Sequence, residues 1–192
     1  MSAIAQPTPR MTVEEFFAWD GGGHVGKLEL VHGVVRAQTY ASDGHGTIQG
    51  NVSRLIGNHL AASRPDCRVV IEGGVIPMFD PKRNVRKPDL SVTCSPNVKG
   101  SRAVPNPVLV VEVLSLTNAD ETWESIQACA TVGSVAEILV IDSETRLVQV
   151  FTKDAKGVWP DPGQTIEADG TIRLKRLDLE MTMVDVYRGT SL

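Results

Sequence analysis

Cationic excess, aromatic residues, long apolar runs and closely spaced cysteine pairs are all scarce or missing in this 192-residue chain. Lys and Arg number 19 against 23 Asp and Glu, a net charge of −4 with an isoelectric point near 5.6. No global positive field therefore draws it onto nucleic acid or anionic lipid, and any such contact must come from a local basic patch. No apolar stretch approaches the ~18 to 20 residues that span a bilayer, and the first ten residues lack the apolar core of a signal peptide. The three cysteines, Cys67, Cys94 and Cys129, are odd in number and form no CxxC pattern. The expectation is neither a disulfide framework nor a zinc knuckle, and a reducing cytoplasm fits best. What is present is ordinary for a globular domain: 42% hydrophobic and 22% charged residues. Residues 1–11, with Pro7 and Pro9, read as a flexible lead-in, and 12–192 as one domain.

Thr12 with Glu15 is a capping-box pattern, and Val13, Phe16 and Phe17 supply the apolar face of a short helix ending before Gly21 to Gly23. Alternation over Lys27–His32, then Val34–Gln38, predicts a hairpin. Ile48, Val52, Leu55, Ile56 and Leu60 recur on one helical face, predicting an amphipathic helix from His45 to about Ser63. Extended runs follow at Arg68–Glu72, Val75–Met78 and Asp89–Cys94. The most apolar segment, Val108–Leu114, reads as a central strand. A helix over Ala119–Thr131 leads to strands at Glu137–Asp142 and Leu147–Thr152. Strand, helix, strand over 108–142 predicts a crossover with parallel strands. Ile172–Leu174 and a capped turn at Thr182–Asp185 read as edge elements. The fold class is α/β, a mixed β-sheet flanked by helices.

Glu112 interrupts the apolar string PVLVVEVLS. A carboxylate stripped of water costs several kcal/mol unless a cation, a metal or a raised pKa relieves it, so Glu112 is a candidate functional residue. The plain alternative is a glutamate at a frayed strand end, paired to an arginine. Asp89 follows Pro88 at a strand start, behind the basic run Lys82, Arg83, Arg86, Lys87. An antiparallel pair turning between Gly100 and Ser101 sets Asp89 opposite Glu112. Two facing carboxylates suit a hard divalent cation, Mg²⁺ or Mn²⁺, although an aspartate after proline is also common turn chemistry.

The strings LELVHG, HGTIQGNVSRLIGNHL, VRKPDLSV, PVLVVEVLS and SVAEILVID, in that order over roughly residues 12–155, resemble the motifs of the bacterial Uma-type family of restriction endonucleases. That family falls within the PD-(D/E)xK nuclease superfamily and has a restriction-endonuclease-like fold. The resemblance implies a divalent metal held by Asp89 and Glu112, with the Val113 carbonyl as third ligand, and Glu29 and His45 lining the same pocket. It also implies hydrolysis of phosphodiesters.

Two departures stand out: His32 and Val34 stand where the family's YELIDGE-like string has an Asp and a Glu, and the usual lysine is missing. The catalytic lysine of the superfamily belongs two residues after the glutamate, where Leu114 stands. The alternative position on the next helix falls at about Ser125, and that helix has no lysine. Lys87, two residues before Asp89, is the nearest substitute, with a solvated loop lysine as the other reading. The leading expectation is a Mg²⁺- or Mn²⁺-dependent DNA endonuclease whose basic run Lys82–Lys87 touches the backbone. The alternatives are an inactive module of the same fold that binds nucleic acid or protein, and a metal-dependent hydrolase of smaller phosphoesters. A homodimer would suit cutting of two strands, with the strand pair near 135–152 supplying an edge. His24, His32 and His59 show no metal-ligand spacing, and His59 reads as a satisfied interfacial side chain. Trp19, Trp123 and Trp159 read as packing residues rather than stacking platforms for bases.

Overall fold

A computed structural model of the chain describes residues 10–24, 26–38, 41–115 and 119–192; most of the expected lead-in lies outside them. The elements run α1 (Val13–Ala18), β1 (Leu28–Val31), β2 (Val34–Ala37), α2 (Asp43–Ser63), β3 (Arg68–Ile71), β4 (Leu90–Thr93), β5 (Pro107–Leu114) and α3 (Ala119–Ala130). They continue with β6 (Glu137–Asp142), β7 (Leu147–Thr152), β8 (Gln164–Glu167), β9 (Thr171–Leu174), β10 (Leu179–Thr182) and α4 (Met183–Val186). Six strands form one sheet in the order β3-β4-β5-β6-β7-β8, while β1-β2 and β9-β10 are separate antiparallel pairs. β5 and β6 are parallel, joined through α3, and the other neighbours in the sheet are antiparallel. The mixed α/β class and the crossover are both as the sequence indicates.

Alternation along β5 decides which helix covers which face. Leu109, Val111 and Val113 join the large core with Ile48, Val52, Ile56 and Leu60 of α2. Val110 packs instead with Ile126 and Cys129 of α3. Glu112 shares parity with Val110, so it faces α3. α2 begins earlier than its apolar period suggests, because Ser42 caps it by accepting from the His45 N–H at 3.2 Å. At α1 both bonds of the capping box form between Thr12 and Glu15.

Several expectations are corrected. Val75–Met78 is not a strand; only Val75 bridges, to Arg86. The segment 147–152 gives no free edge, because β7 pairs with β8. The tail is not edge material either, since β9 and β10 form a hairpin whose Ile172, Leu174, Leu179 and Met181 enter the main core. Cys67 and Cys94 are joined in a disulfide. The β3-β4 register pairs Arg68 with Thr93, and one step back sets Cys67 opposite Cys94. That proximity belongs to the strand pairing, and a separation of 27 residues hides it. Met11 is not loose: its N–H donates to Gly33 O at 2.7 Å. Among the described residues no helix is long and apolar enough to cross a membrane.

Candidate active site

The register of β4 and β5, Leu90 with Val111 and Ser91 with Val110, extends one step to bring Asp89 opposite Glu112. Both carboxylates are buried, at 4% and 3% exposure. The Asp89 N–H donates to Glu112 Oε2 at 3.3 Å, and Asp89 Oδ2 accepts the Val113 N–H at 2.8 Å. A residue's N–H and C=O lie on the same edge of an antiparallel strand. The Val113 carbonyl therefore lies on the same side as Asp89. From α2, Gln49 Nε2 donates to the Asp89 carbonyl at 3.1 Å, and His45 Nε2 lies 3.4 Å from Asp89 Oδ2. From α3, Ser125 Oγ donates to Glu112 Oε1 at 2.9 Å. A cavity of about 360 Å³ opens here, lined by Lys27, His45, Asp89, Glu112, Val113 and Thr122 among others.

Lys27 is the residue the sequence reading missed. Its ammonium sits 3.0 Å from Asp89 Oδ1 with the side chain only 12% exposed. Burial alone would drive the ammonium toward its neutral form, but Glu112, Asp89 and Glu29 reverse that and hold Lys27 above the usual lysine value. Burial likewise opposes ionisation of Asp89. The His45 bond, the Lys27 charge and the Val113 N–H outweigh it and set Asp89 at about 2. Glu112 goes the other way. Burial, reinforced by the Asp89 and Glu29 charges and only partly offset by Lys27 and Ser125, pushes it up to about 8. One carboxylate is thus strongly ionised while its neighbour holds a proton, the behaviour of two acids sharing one small site.

The other candidates fall behind this front line. Glu29 is buried but does not line the cavity. Its Oε1 accepts the Lys87 N–H at 2.6 Å, and its Oε2 lies 3.4 Å from Arg86 Nη1. Lys87 reaches Glu29 only through its backbone. Its side chain turns away over the Phe16 ring, 5.9 Å from the centroid, into a neighbouring cavity. The nearest lysine in sequence is therefore not the one at the carboxylates. Arg86 leaves the expected phosphate-contacting run as well: it is 1% exposed and bound to Glu29, with Glu124 at 3.8 Å. Lys82 and Arg83 stay exposed.

Lys27 could have been found from alternation. On an extended strand, residues 27 and 29 point to one side, so aiming Glu29 at the site aims Lys27 there too. Ser125 carries a comparable signal, a polar residue on the buried face of α3, and it holds Glu112 where a lysine was expected.

Among the described residues no group of three or more His, Cys, Asp and Glu side chains surrounds a common point. That donor set does not build a closed zinc-type site. Two carboxylates and a backbone carbonyl beside an open cavity do fit a hard cation that keeps several waters.

The sheet order, the crossover and the paired acids at the β4-β5 edge define a restriction-endonuclease-like α/β domain. The chain belongs to the Uma2 family, described as "Putative restriction endonuclease", whose model matches residues 13–182. In fold it is similar to a putative nuclease of the DUF820 group from Anabaena variabilis ATCC 29413. The TM-score is 0.73 at 16% identity, over 92% of this chain and 97% of the other. No curated protein matches the chain.

Proposed function

We propose that this protein is a divalent-metal-dependent endonuclease that hydrolyses DNA phosphodiester bonds, with Asp89, Glu112 and the Val113 carbonyl as the Mg²⁺ or Mn²⁺ ligands. The observation that carries this reading is the placement of Asp89 and Glu112 on adjacent strands at one level, facing a cavity beside the Lys27 ammonium. A cation bound there would lower the pKa of a coordinated water and offset phosphate charge. The protein's own groups divide the remaining work. Asp89, kept ionised, offers one oxygen to Lys27 and the other to Val113 N–H, which fixes its carboxyl plane. Ser125 orients Glu112. Lys27 brings a permanent positive charge to the cavity wall, where it can stabilise charge developing on the scissile phosphate. That is the task of the lysine absent from position 114 and from α3. His45, at the buried start of α2, positions Asp89, and Arg86 and the Lys87 N–H hold the Glu29 carboxylate in place behind them.

The test is nicking of supercoiled plasmid with Mg²⁺ or Mn²⁺ by the wild type and by Asp89→Asn and Glu112→Gln. Loss in both variants supports the assignment. DNA binding without nicking in the wild type under either ion replaces it with the inactive binding module.

A further inference from the structure

A second cavity, of about 460 Å³, adjoins the carboxylate cavity, and Gly26 and Glu72 line both. Its walls differ in kind. Phe16, Phe17 and Trp19 supply aromatic surface, and Lys87 and Arg102 supply positive charge in a wall that also carries the Asp20 and Glu72 carboxylates. Phe17 and Trp19 are only half-buried, so their rings are available to a ligand.

The rings are held by close backbone approach. A Cβ at Gly22 would come within 2.9 Å of Trp19 Cζ2, and one at Gly74 within 3.2 Å of Phe17 Cζ. A side chain at either glycine would press on the ring beside it, and Gly22 also sits at φ +58°, which favours glycine. Trp19 is therefore more than packing filler, since backbone supports it beside the opening. Lys87 lies over Phe16, which sets a cation at the rim of the aromatic wall.

We propose that this cavity is a nucleobase subsite, which receives the unstacked base next to the scissile phosphate of a single-stranded or locally opened DNA strand. The proposal rests on the nuclease reading for the position of that phosphate. An aromatic wall takes any base by its π-face, and flanking cations take the backbone on either side. A base inside an intact duplex is stacked on both faces and cannot enter, so the cavity selects against undistorted double strands. Gly26 and Glu72 line both cavities, so a base held here and a phosphate at the carboxylates can belong to one short stretch of strand. Lys87 then has a role that needs no approach to the acids: it contacts the adjoining phosphate.

The experiment uses the full chain in EDTA, so that metal binding plays no part. A fluorescent single-stranded decathymidylate is compared, by anisotropy, with an abasic tetrahydrofuran decamer of equal length and charge, while tryptophan emission is followed. The abasic strand is expected to bind about ten- to a hundredfold more weakly. Thymidylate should quench emission, and Trp19→Phe should remove that quenching. Equal affinity for the two strands overturns the proposal, and it does so without altering any protein residue. A base preference with unquenched Trp19 overturns it too, because the base then sits elsewhere. Should base-dependent binding and Trp19 quenching both hold while the wild type never nicks DNA, the subsite stands and the nuclease reading fails. Nicking without base preference gives the reverse.

Discussion

Glu112→Gln tests the balance of charge at the site through stability alone. The unfolded chain ionises Glu112 near the ordinary value of 4.5, whereas the folded protein holds its proton up to about 8. Below pH 4.5 both states are protonated, and Glu112 adds no pH dependence. Between 4.5 and 8 the unfolded chain releases a proton that the folded protein keeps. Stability then falls as pH rises, by up to about 1.4 kcal/mol per pH unit. Across that window the loss reaches a few kcal/mol, and above pH 8 it is complete. Glutamine removes this loss. Its oxygen still accepts the Ser125 hydroxyl, but its amide nitrogen cannot accept the Asp89 N–H, a bond worth about 1 kcal/mol. In metal-free buffer the variant should match the wild type or fall slightly below it at pH 5, and exceed it by roughly 1 to 3 kcal/mol at pH 8. For a domain of this size that is about 3 to 10 °C in Tm. Scanning calorimetry from pH 5 to 8 reads the difference directly. Mn²⁺ should then raise the wild-type midpoint by mass action and leave the variant's unmoved. A Tm difference that stays flat across the pH range refutes the strained-carboxylate argument, and an undiminished Mn²⁺ shift removes Glu112 from the ligand set.

Lys27→Ala should slow Mn²⁺-dependent plasmid nicking by about 10² to 10³. Lys87→Ala should change the salt slope of DNA binding by about one unit without that loss in rate. Arg86→Met leaves the Glu29 carboxylate buried without its guanidinium partner and should cost about 3 to 5 kcal/mol in urea unfolding. The double variant Arg86→Met with Glu29→Gln should recover most of that stability, and failure to recover it means that Arg86 acts by packing alone. Thr12→Ala removes the hydroxyl that accepts the Glu15 N–H, leaves the residue-12 N–H free to donate to the Glu15 carboxylate, and should cost about 1 kcal/mol by the same measurement.

What the sequence disclosed was what local rules govern. The period of Ile48, Val52, Ile56 and Leu60 located α2, and both bounds of β6 and β7 could be read directly. Antiparallel numbering put Asp89 opposite Glu112 because the pairing keeps the expected register from Leu90 to Val92 and slips only at Thr93, nearer the loop. The errors have a common origin in pairing between distant segments. The Cys67–Cys94 bond, the β8 edge and the burial of Arg86 depend on which strand lies beside which, and no window of sequence contains that. β8 carries no alternating signal in the sequence, because it buries only Ile166 among exposed polar neighbours. His59 illustrates the opposite case. A histidine at the apolar border of α2 needs a partner, and the Leu177 carbonyl at 2.9 Å supplies one.

The position of Lys27 explains how this chain can depart from the usual lysine spacing without losing a cation at the acids. A charge acts by where it sits, not by the strand that carries it. The position two residues beyond Glu112 faces the same side of β5 as Glu112, and in this protein that place is taken by the apolar Leu114, which packs against the α3-side core. The β1-β2 hairpin compensates from outside the sheet. A backbone bridge between Leu30 and Val85 docks it there, and that bridge pins the neighbouring pair Glu29 and Arg86. Extending β1 back by alternation then delivers Lys27 onto Asp89 across 62 residues of sequence. The hairpin, its Arg86 anchor and the cation therefore form one assembly. Loosening Glu29 or Arg86 should move Lys27 away from Asp89 even though neither residue lines the cavity.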